Sequence, residues 1–418
     1  GPPGTGKTDT VGWALMLLCV NLCRSSLNDQ IIILAHSNKA LDQIVLRLLT
    51  LCDAINNASS DVGWVPRIAR LGYRDSINAD VYRRCSMDAL IQAEQQQQQQ
   101  NDQSFRDLRS RILNNVDVLA MTCAGAALRR FGFVRHTRNI GAMVIEEAAK
   151  VTQPCMFAML SYNPDRCIMI GDSMQLAPVV RNQFVRASTS IDMSLFERLQ
   201  QMGVPPVQLD YQGRARPEVC NLYRWRYDRL LDLDIVKAPR DEPASLMLAM
   251  DFIDVATGRT HGEVCAAEGS TVARLVSMLV NGYGVDSASI SVLTPYRAQR
   301  RHLEDALQDV HVGHIATIDE FQGLQNEIII ISLTHRGRRP SSFLCDSRRV
   351  NVLTSRAKSA IYFVGRRATY EAGADQWDRV LRVMGQYRSS LGASVVQGWY
   401  NALCKYGLCI RAVGDEGS

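Results

Sequence analysis

Short runs of branched apolar residues recur along the chain, each followed by a stretch with helical spacing. Ile31–Ala35, Val118–Thr122, Ala142–Ile145 and Cys167–Ile170 are too short for ordinary helices and are unbroken rather than alternating. That pattern predicts strands buried on both faces, as in a parallel sheet. Helical spacing follows at Ala40–Leu49 and from Ala148 through the Met156 region, which gives the βαβ rhythm of an α/β domain. The rhythm restarts after Gly203-Val-Pro-Pro206, a Gly/Pro stretch suited to a hinge. Ser289–Leu293, Glu327–Leu333 and Ala360–Val364 are the expected strands of a second α/β domain. The domains expected on this basis are 1–203, 204–370 and a partly helical tail, 371–418, whose clearest helix is Trp377–Met384.

Between Tyr73 and Asn115 the rhythm breaks into polar sequence that includes six consecutive glutamines, Gln95–Gln100. The flanks Ala79–Ala93 and Ser104–Leu113 have helical patterns, so 74–116 is expected to be a mostly helical insertion, an arm with a flexible tip. Arg106, Arg109 and Arg111 give the arm a basic side, which suits nucleic acid or simply a solvated face. The most apolar run, Val11–Val20, is far short of the ~20 residues that cross a membrane, and is expected to form a buried helix.

Composition narrows the class. Hydrophobic residues make up 46% of 418 and charged residues 21%, the balance of an ordinary globular protein. A net charge of +5 permits a nucleic-acid partner without requiring one. Twelve cysteines are scattered with no C-x-x-C pair, a usage that fits reduced thiols better than zinc or a disulfide framework.

The candidate chemistry begins at the first residue. Gly1-Pro-Pro-Gly-Thr-Gly-Lys-Thr8 is a phosphate-binding loop. Gly1, Pro2, Gly4, Thr5 and Gly6 shape a turn whose amides face a triphosphate. Lys7 reaches the β- and γ-phosphates, and the Thr8 hydroxyl ligates Mg²⁺. A strand is expected to feed such a loop, so the sequence is expected to be part of a longer chain. Val144-Ile-Glu-Glu-Ala-Ala149 ends an apolar strand in two carboxylates, with Glu146 assigned to Mg²⁺ and Glu147 to activation of the attacking water. Asp172 and Gln175 follow the next strand end, where Gln175 is suited to sensing the γ-phosphate. Arg214 and Arg356 are the candidate transition-state cations. Ser37, Asn38, Thr122, Thr294, Arg297 and Thr317 stand at strand ends, placed either to hold a nucleic-acid backbone or merely to cap helices.

These motifs in this order resemble the superfamily 1 helicases over nearly the whole chain. Gly171-Asp-x-x-Gln-Leu-x-Pro and Arg348–Lys358 separate the pattern from other ATPases with the same loop. Glu-Glu-Ala-Ala resembles the branch that includes senataxin and the nonsense-mediated-decay helicase. Within it, Ala35–Leu41, Met121–Leu128, Gly203–Asp210, Gln212–Arg216 and Cys220–Tyr227 are similar to the Aquarius-like, intron-binding spliceosomal RNA helicases. The resemblance implies two tandem RecA-like domains, ATP and Mg²⁺ as cofactors, Gln212 and Gln325 at the nucleotide, intron RNA and spliceosomal proteins as partners, and a nuclear location without a membrane. Gly213, Gln325 and Glu146 stand where the branch usually has tyrosine, glutamate and aspartate. They keep a second reading open, an RNA-binding scaffold with little required hydrolysis. A relative acting in RNA decay or transcription termination is a third.

Overall fold

The computed structural model describes residues 1–23, 29–58, 64–97, 105–133, 138–180, 182–238, 247–255, 260–321, 323–334, 337, 339–371 and 375–408. The chain divides into two compact units, one holding Gly1 and Gly6–Leu209 and the other Pro2–Thr5 and Asp210–Ser418.

The first unit is built on β1 (Gln30–Ala35), β2 (Ile68–Arg70), β3 (Val118–Thr122), β4 (Ile140–Glu146) and β5 (Cys167–Met169). They form one parallel sheet in the order β2-β3-β1-β4-β5. Side chains of a strand alternate between faces, and the core splits accordingly. Ile31, Ile33 and Ala35 join Leu15, Leu41, Ile44 and Leu48 on one side. Ile32 and Leu34 join Leu119, Met121, Ile112 and Met156 on the other. Every residue of β1 and β4 is buried, which is why both read as unbroken apolar runs. β5 departs from that expectation. It ends at Met169, and as an edge strand it leaves Cys167 exposed.

Several helices differ from expectation for local reasons. The run from Ala148 is a 3-10 turn, Ala148–Lys150, and the helix proper is Gln153–Leu160. Pro154 belongs to its first turn, where a missing N–H costs nothing. Ala79–Ala93 breaks into Ala79–Cys85 and Met87–Gln97, because Ser86 is extended and its Oγ accepts Ala89 N–H at 3.0 Å to cap the second helix. These two helices and Phe105–Asn115 do not project as an arm. Ile91, Leu108, Ile112 and Leu113 are core residues. Arg111 pairs with Glu94 at 3.1 Å. Gln95–Gln97 close a helix, while Gln98–Gln100 and the expected flexible tip lie outside the described residues. The helix Lys7–Leu18 is buried on one side only. Val11, Leu15 and Met16 face the core, whereas Trp13 and Leu17 are exposed because the sheet covers a single face.

β2 was not legible as a strand because it is three residues long and ends in arginine. Arg70 is fully buried. Its Nε bonds Asp42 at 2.9 Å, and its other nitrogens donate to Asn38 Oδ1 at 2.8 Å and to the Leu71 carbonyl. Asp42 also accepts Asn78 N–H at 2.8 Å. Removing one member strands the other's charge in the core. Arg70→Ala is therefore expected to destabilise the first unit by about 3–5 kcal/mol. In urea unfolding, the Arg70→Ala/Asp42→Ala pair should lose much less than the sum of the singles. Additive losses would mean that the two charges are not coupled.

The second unit holds β6 (Tyr211–Gln212), β7 (Leu231–Asp232), β8 (Met250–Asp254), β9 (Ile290–Thr294), β10 (His314–Thr317), β11 (Asn326–Ser332) and β12 (Ala357–Gly365). The main parallel sheet has the order β10-β9-β11-β12-β8, and β6 pairs with β7 separately. β8 and β10 escape pattern reading because aspartates bracket the first and half-exposed residues start the second. The helix expected at Trp377–Met384 spans Asp375–Ser390. A further helix, Ala393–Lys405, carries Trp399, which stacks on Tyr362 at 5.3 Å and donates its indole N–H to buried Asp251 at 3.0 Å. Residues 409–418 lie outside the described part.

Candidate functional site

The phosphate loop is shaped by left-handed backbone. Gly4 and Gly6 both have φ 75°, a region costly for any residue with a Cβ. Gly6 is the N-cap of helix Lys7–Leu18, so Lys7 and Thr8 are its first two residues, at the end where free amides favour an anion. Thr5 Oγ1 donates to the Pro2 carbonyl at 2.8 Å, and the Lys7 ammonium donates to the Gly1 carbonyl at 2.7 Å.

Across from the loop, β4 ends in Glu146. Its carboxylate is buried and its Oε2 has no hydrogen-bond partner among the described residues. Burial, then the neighbouring Glu147 charge, pushes the Glu146 carboxyl up to about 7, and Lys7 opposes the rise. An unsatisfied hard oxygen beside a lysine and a helix N-terminus fits Mg²⁺ with phosphate. Glu147 has φ 55°, rare for a residue with a side chain and the kind of strain concentrated at functional sites. It is held by Ala148 N–H bonding the Ile170 carbonyl at 2.8 Å, and its carboxylate pairs with Lys150 at 3.1 Å.

The loop after β5 is tied to the same place. A Cβ on Gly171 would stand 3.0 Å from the Ala149 nitrogen, so glycine lets the two strand-end loops touch. Asp172 accepts Gln175 Nε2 at 2.7 Å and Met174 N–H at 3.0 Å, which orients the Gln175 amide. Register completes the row. Ala35 of β1 lies opposite both Thr122 of β3 and Glu146 of β4. Ser37, Asn38, Thr122 and Glu146 therefore share one edge of the sheet. Each of the first three also has local work. Ser37 Oγ accepts Ala40 N–H at 3.2 Å, Thr122 Oγ1 accepts Gly125 N–H at 3.1 Å, and Asn38 holds Arg70.

In the second unit the candidates sort to opposite edges. Thr294 and Thr317 are register partners at the strand-end edge, followed by Arg297, exposed at the start of helix Arg297–Ala306. Thr294 Oγ1 is buried without a partner among the described residues. Thr317 and Glu320 cap one another, Thr317 N–H to Glu320 Oε2 at 3.0 Å and Glu320 N–H to Thr317 Oγ1 at 3.3 Å. The strand-start edge carries Gln325, exposed just before β11, and Arg356, just before β12.

Two assignments change character here. Gln212 is fully buried and its amide is saturated. Nε2 donates to the Ala215 carbonyl and to Asp232, each at 2.7 Å, while Oε1 accepts Arg214 and Ala215 N–H, each at 2.9 Å. No hydrogen-bonding capacity remains for a nucleotide, so Gln212 shapes the Arg214 turn instead. Arg356 is also buried. Its Nε donates to the Val352 carbonyl at 2.8 Å and its Nη2 to Ser355 Oγ at 3.0 Å, clamping the end of helix Ser347–Thr354. Arg214 reaches the Ser355 carbonyl at 3.3 Å, and burial lowers its pKa from the ordinary value. The two arginines thus converge on Ser355. Sequence reasoning missed Lys150 and Asp232. The i, i+3 spacing to Glu147 was a visible hint for the first, and nothing local marked the second.

Family models described as AAA domain match residues 1–107 and 83–183 in one case and 191–368 in the other. A mouse RNA helicase aquarius is 34% identical over 289 residues, covering 62% of this chain and 19% of that protein. The chain belongs to the superfamily 1 helicases. Another relative of this helicase, a Drosophila melanogaster regulator of nonsense transcripts 1 homolog, is 27% identical over 401 residues, covering 87% of this chain and 32% of that one. A mouse DNA replication ATP-dependent helicase/nuclease is 26% identical over 403 residues, covering 87% and 35%. The chain spans about a fifth to a third of the length of these relatives. Among the described residues of the helicase, no helix is long and apolar enough to cross a membrane.

Proposed function

We propose that this helicase is the ATP-driven part of an RNA-remodelling enzyme that acts on intron RNA within a nuclear spliceosomal assembly. The observation that carries the ATPase half is the unpartnered buried oxygen of Glu146 near Lys7 and the strained Glu147. Glu146 and Thr8 would hold Mg²⁺, which when bound neutralises charge on the phosphate oxygens. Lys7 and the amides around Gly6 would bind the triphosphate. Glu147 would take a proton from the attacking water, and Gln175, oriented by Asp172, would report the γ-phosphate. Arg214 would supply the compensating cation, with Arg356 fixing Ser355 beneath it. Ser37, Asn38, Thr122, Thr294, Arg297 and Thr317 would track the RNA backbone along the strand-end edges.

The intron reading is supported by the 34% identity to the aquarius helicase, against 26–27% for the decay and replication relatives. The decay reading is favoured by a different observation, the longer alignment to the regulator of nonsense transcripts. ATP turnover by the full-length protein should rise when single-stranded RNA is added, and the native complex should contain intron RNA. Equal turnover with and without RNA would support the scaffold reading, and co-purified decay factors the other.

A further inference from the structure

The segment Cys220–Tyr227 is left unexplained by ATP or RNA. It ends the helix Pro217–Arg224, which packs against Asp375–Ser390. Between these helices lies a groove of about 960 Å³. Its Asp375–Ser390 wall presents Arg379, Arg382, Val383, Gln386, Tyr387 and Ser390, the i, i+3, i+4, i+7 spacing of one helix face, over about 16 Å.

The floor is apolar and the charge is positive. Trp225 lines the groove, with the Arg379 guanidinium 4.6 Å and the Arg226 guanidinium 4.2 Å from its ring centre. Arg226 has two buried nitrogens without a partner among the described residues, and Arg379 has no ion pair among them. Of the arginines that line the groove, Arg224 pairs with Asp232, Arg229 with Asp210 and Arg382 with Asp378, so its uncompensated cation among the described residues is Arg379, with Glu218 and Asp228 also on the lining. Tryptophan, tyrosine and arginine around an apolar floor are the residues that dominate protein-recognition hot spots.

We propose that this groove binds an acidic amphipathic helix of a partner protein, its apolar side chains on Trp225 and Val383 and its carboxylates on Arg379 and Arg382. Nucleic acid fits less well. None of the residues lining the groove belongs to β9 or β10, and the indole that would stack a base already carries two guanidiniums. A second copy of the chain, with net charge +5, would be repelled. A helix laid between two helices meets the periodic faces it needs.

The test is selection of random displayed peptides of about 12 residues, long enough to span the groove as a helix, on the full-length protein. Recovered peptides should be acidic, with apolar residues at helical spacing. By fluorescence polarisation they should bind Arg379→Glu/Arg382→Glu at least about tenfold more weakly, since like charges would meet. Arg382 is exposed and paired only with Asp378 on its own helix, so the variant should fold, and Val383→Asp is an independent check through the apolar floor. Lys7→Ala should leave peptide binding intact. Peptides that are neutral or basic, or that bind both groove variants as well as the parent, would overturn the proposal. So would a tenfold loss of affinity for an RNA of about 12 nucleotides in the Arg379→Glu/Arg382→Glu variant, which would make the groove a nucleic-acid surface.

Discussion

Replacing Glu147 with glutamine is expected to slow ATP turnover by about 10²- to 10⁴-fold while ATP binding stays unchanged. The substitution keeps the shape of the side chain and removes its charge, and with it the ability to take a proton and the ion pair with Lys150. The backbone at φ 55° should persist, because the Ala148–Ile170 hydrogen bond and the Lys150 N–H to Glu147 carbonyl bond at 2.9 Å do not involve the carboxylate. The lost Lys150 pair is largely shielded from solvent, so some loss of stability is expected beside the loss of turnover. Turnover measured at saturating ATP, beside affinity for a fluorescent ATP analogue, separates the two effects. A Glu147→Gln protein that hydrolyses ATP at the parent rate would move the base elsewhere. A protein that loses ATP binding instead would make Glu147 a ligand-binding residue rather than a base.

Lys7→Ala is expected to lower turnover by about 10²- to 10³-fold and to weaken triphosphate binding with it. Lys7 is the one side-chain cation of the loop, and it stands at the helix end where backbone amides already favour an anion. Within the protein, removal costs the bond to the Gly1 carbonyl, about 1 kcal/mol. The pairing of outcomes matters. Glu147→Gln should spare binding and Lys7→Ala should not. Equal ATP affinity in Lys7→Ala and the parent would remove the phosphate loop from the site.

The strands that carry the first site were legible because burial on both faces leaves unbroken apolar runs, as in β1 and β4. Motif spacing then put Glu146, Glu147 and Gln175 at strand ends. What failed was specific. β2 hides an arginine, and that residue is tolerable inside only because Asp42, Asn38 and the Leu71 carbonyl surround it. The polar segment around 74–116 looked detached because its apolar residues are few. Yet Ile91, Leu108, Ile112 and Leu113 join the core on one side of the sheet and Ile77, Val81 and Cys85 join it on the other.

The amino-acid sequence by itself determined the long buried strands and the left-handed glycine turn that opens the first helix. Backbone preference, apolar periodicity and the need for glycine at φ 75° act within a few residues, so a short window contains the whole cause. Only the tertiary structure decided what the polar side chains do. Gln212 is saturated by Asp232, twenty residues on, and Arg356 is sealed among carbonyls of its own unit. Glu146 is left with one oxygen that no donor among the described residues reaches, because the Lys7 ammonium beside it is bonded to the Gly1 carbonyl. A hydrogen bond depends on which groups meet, and groups far apart in the chain meet only when the sheet registers them, as Ala35 is set beside both Thr122 and Glu146.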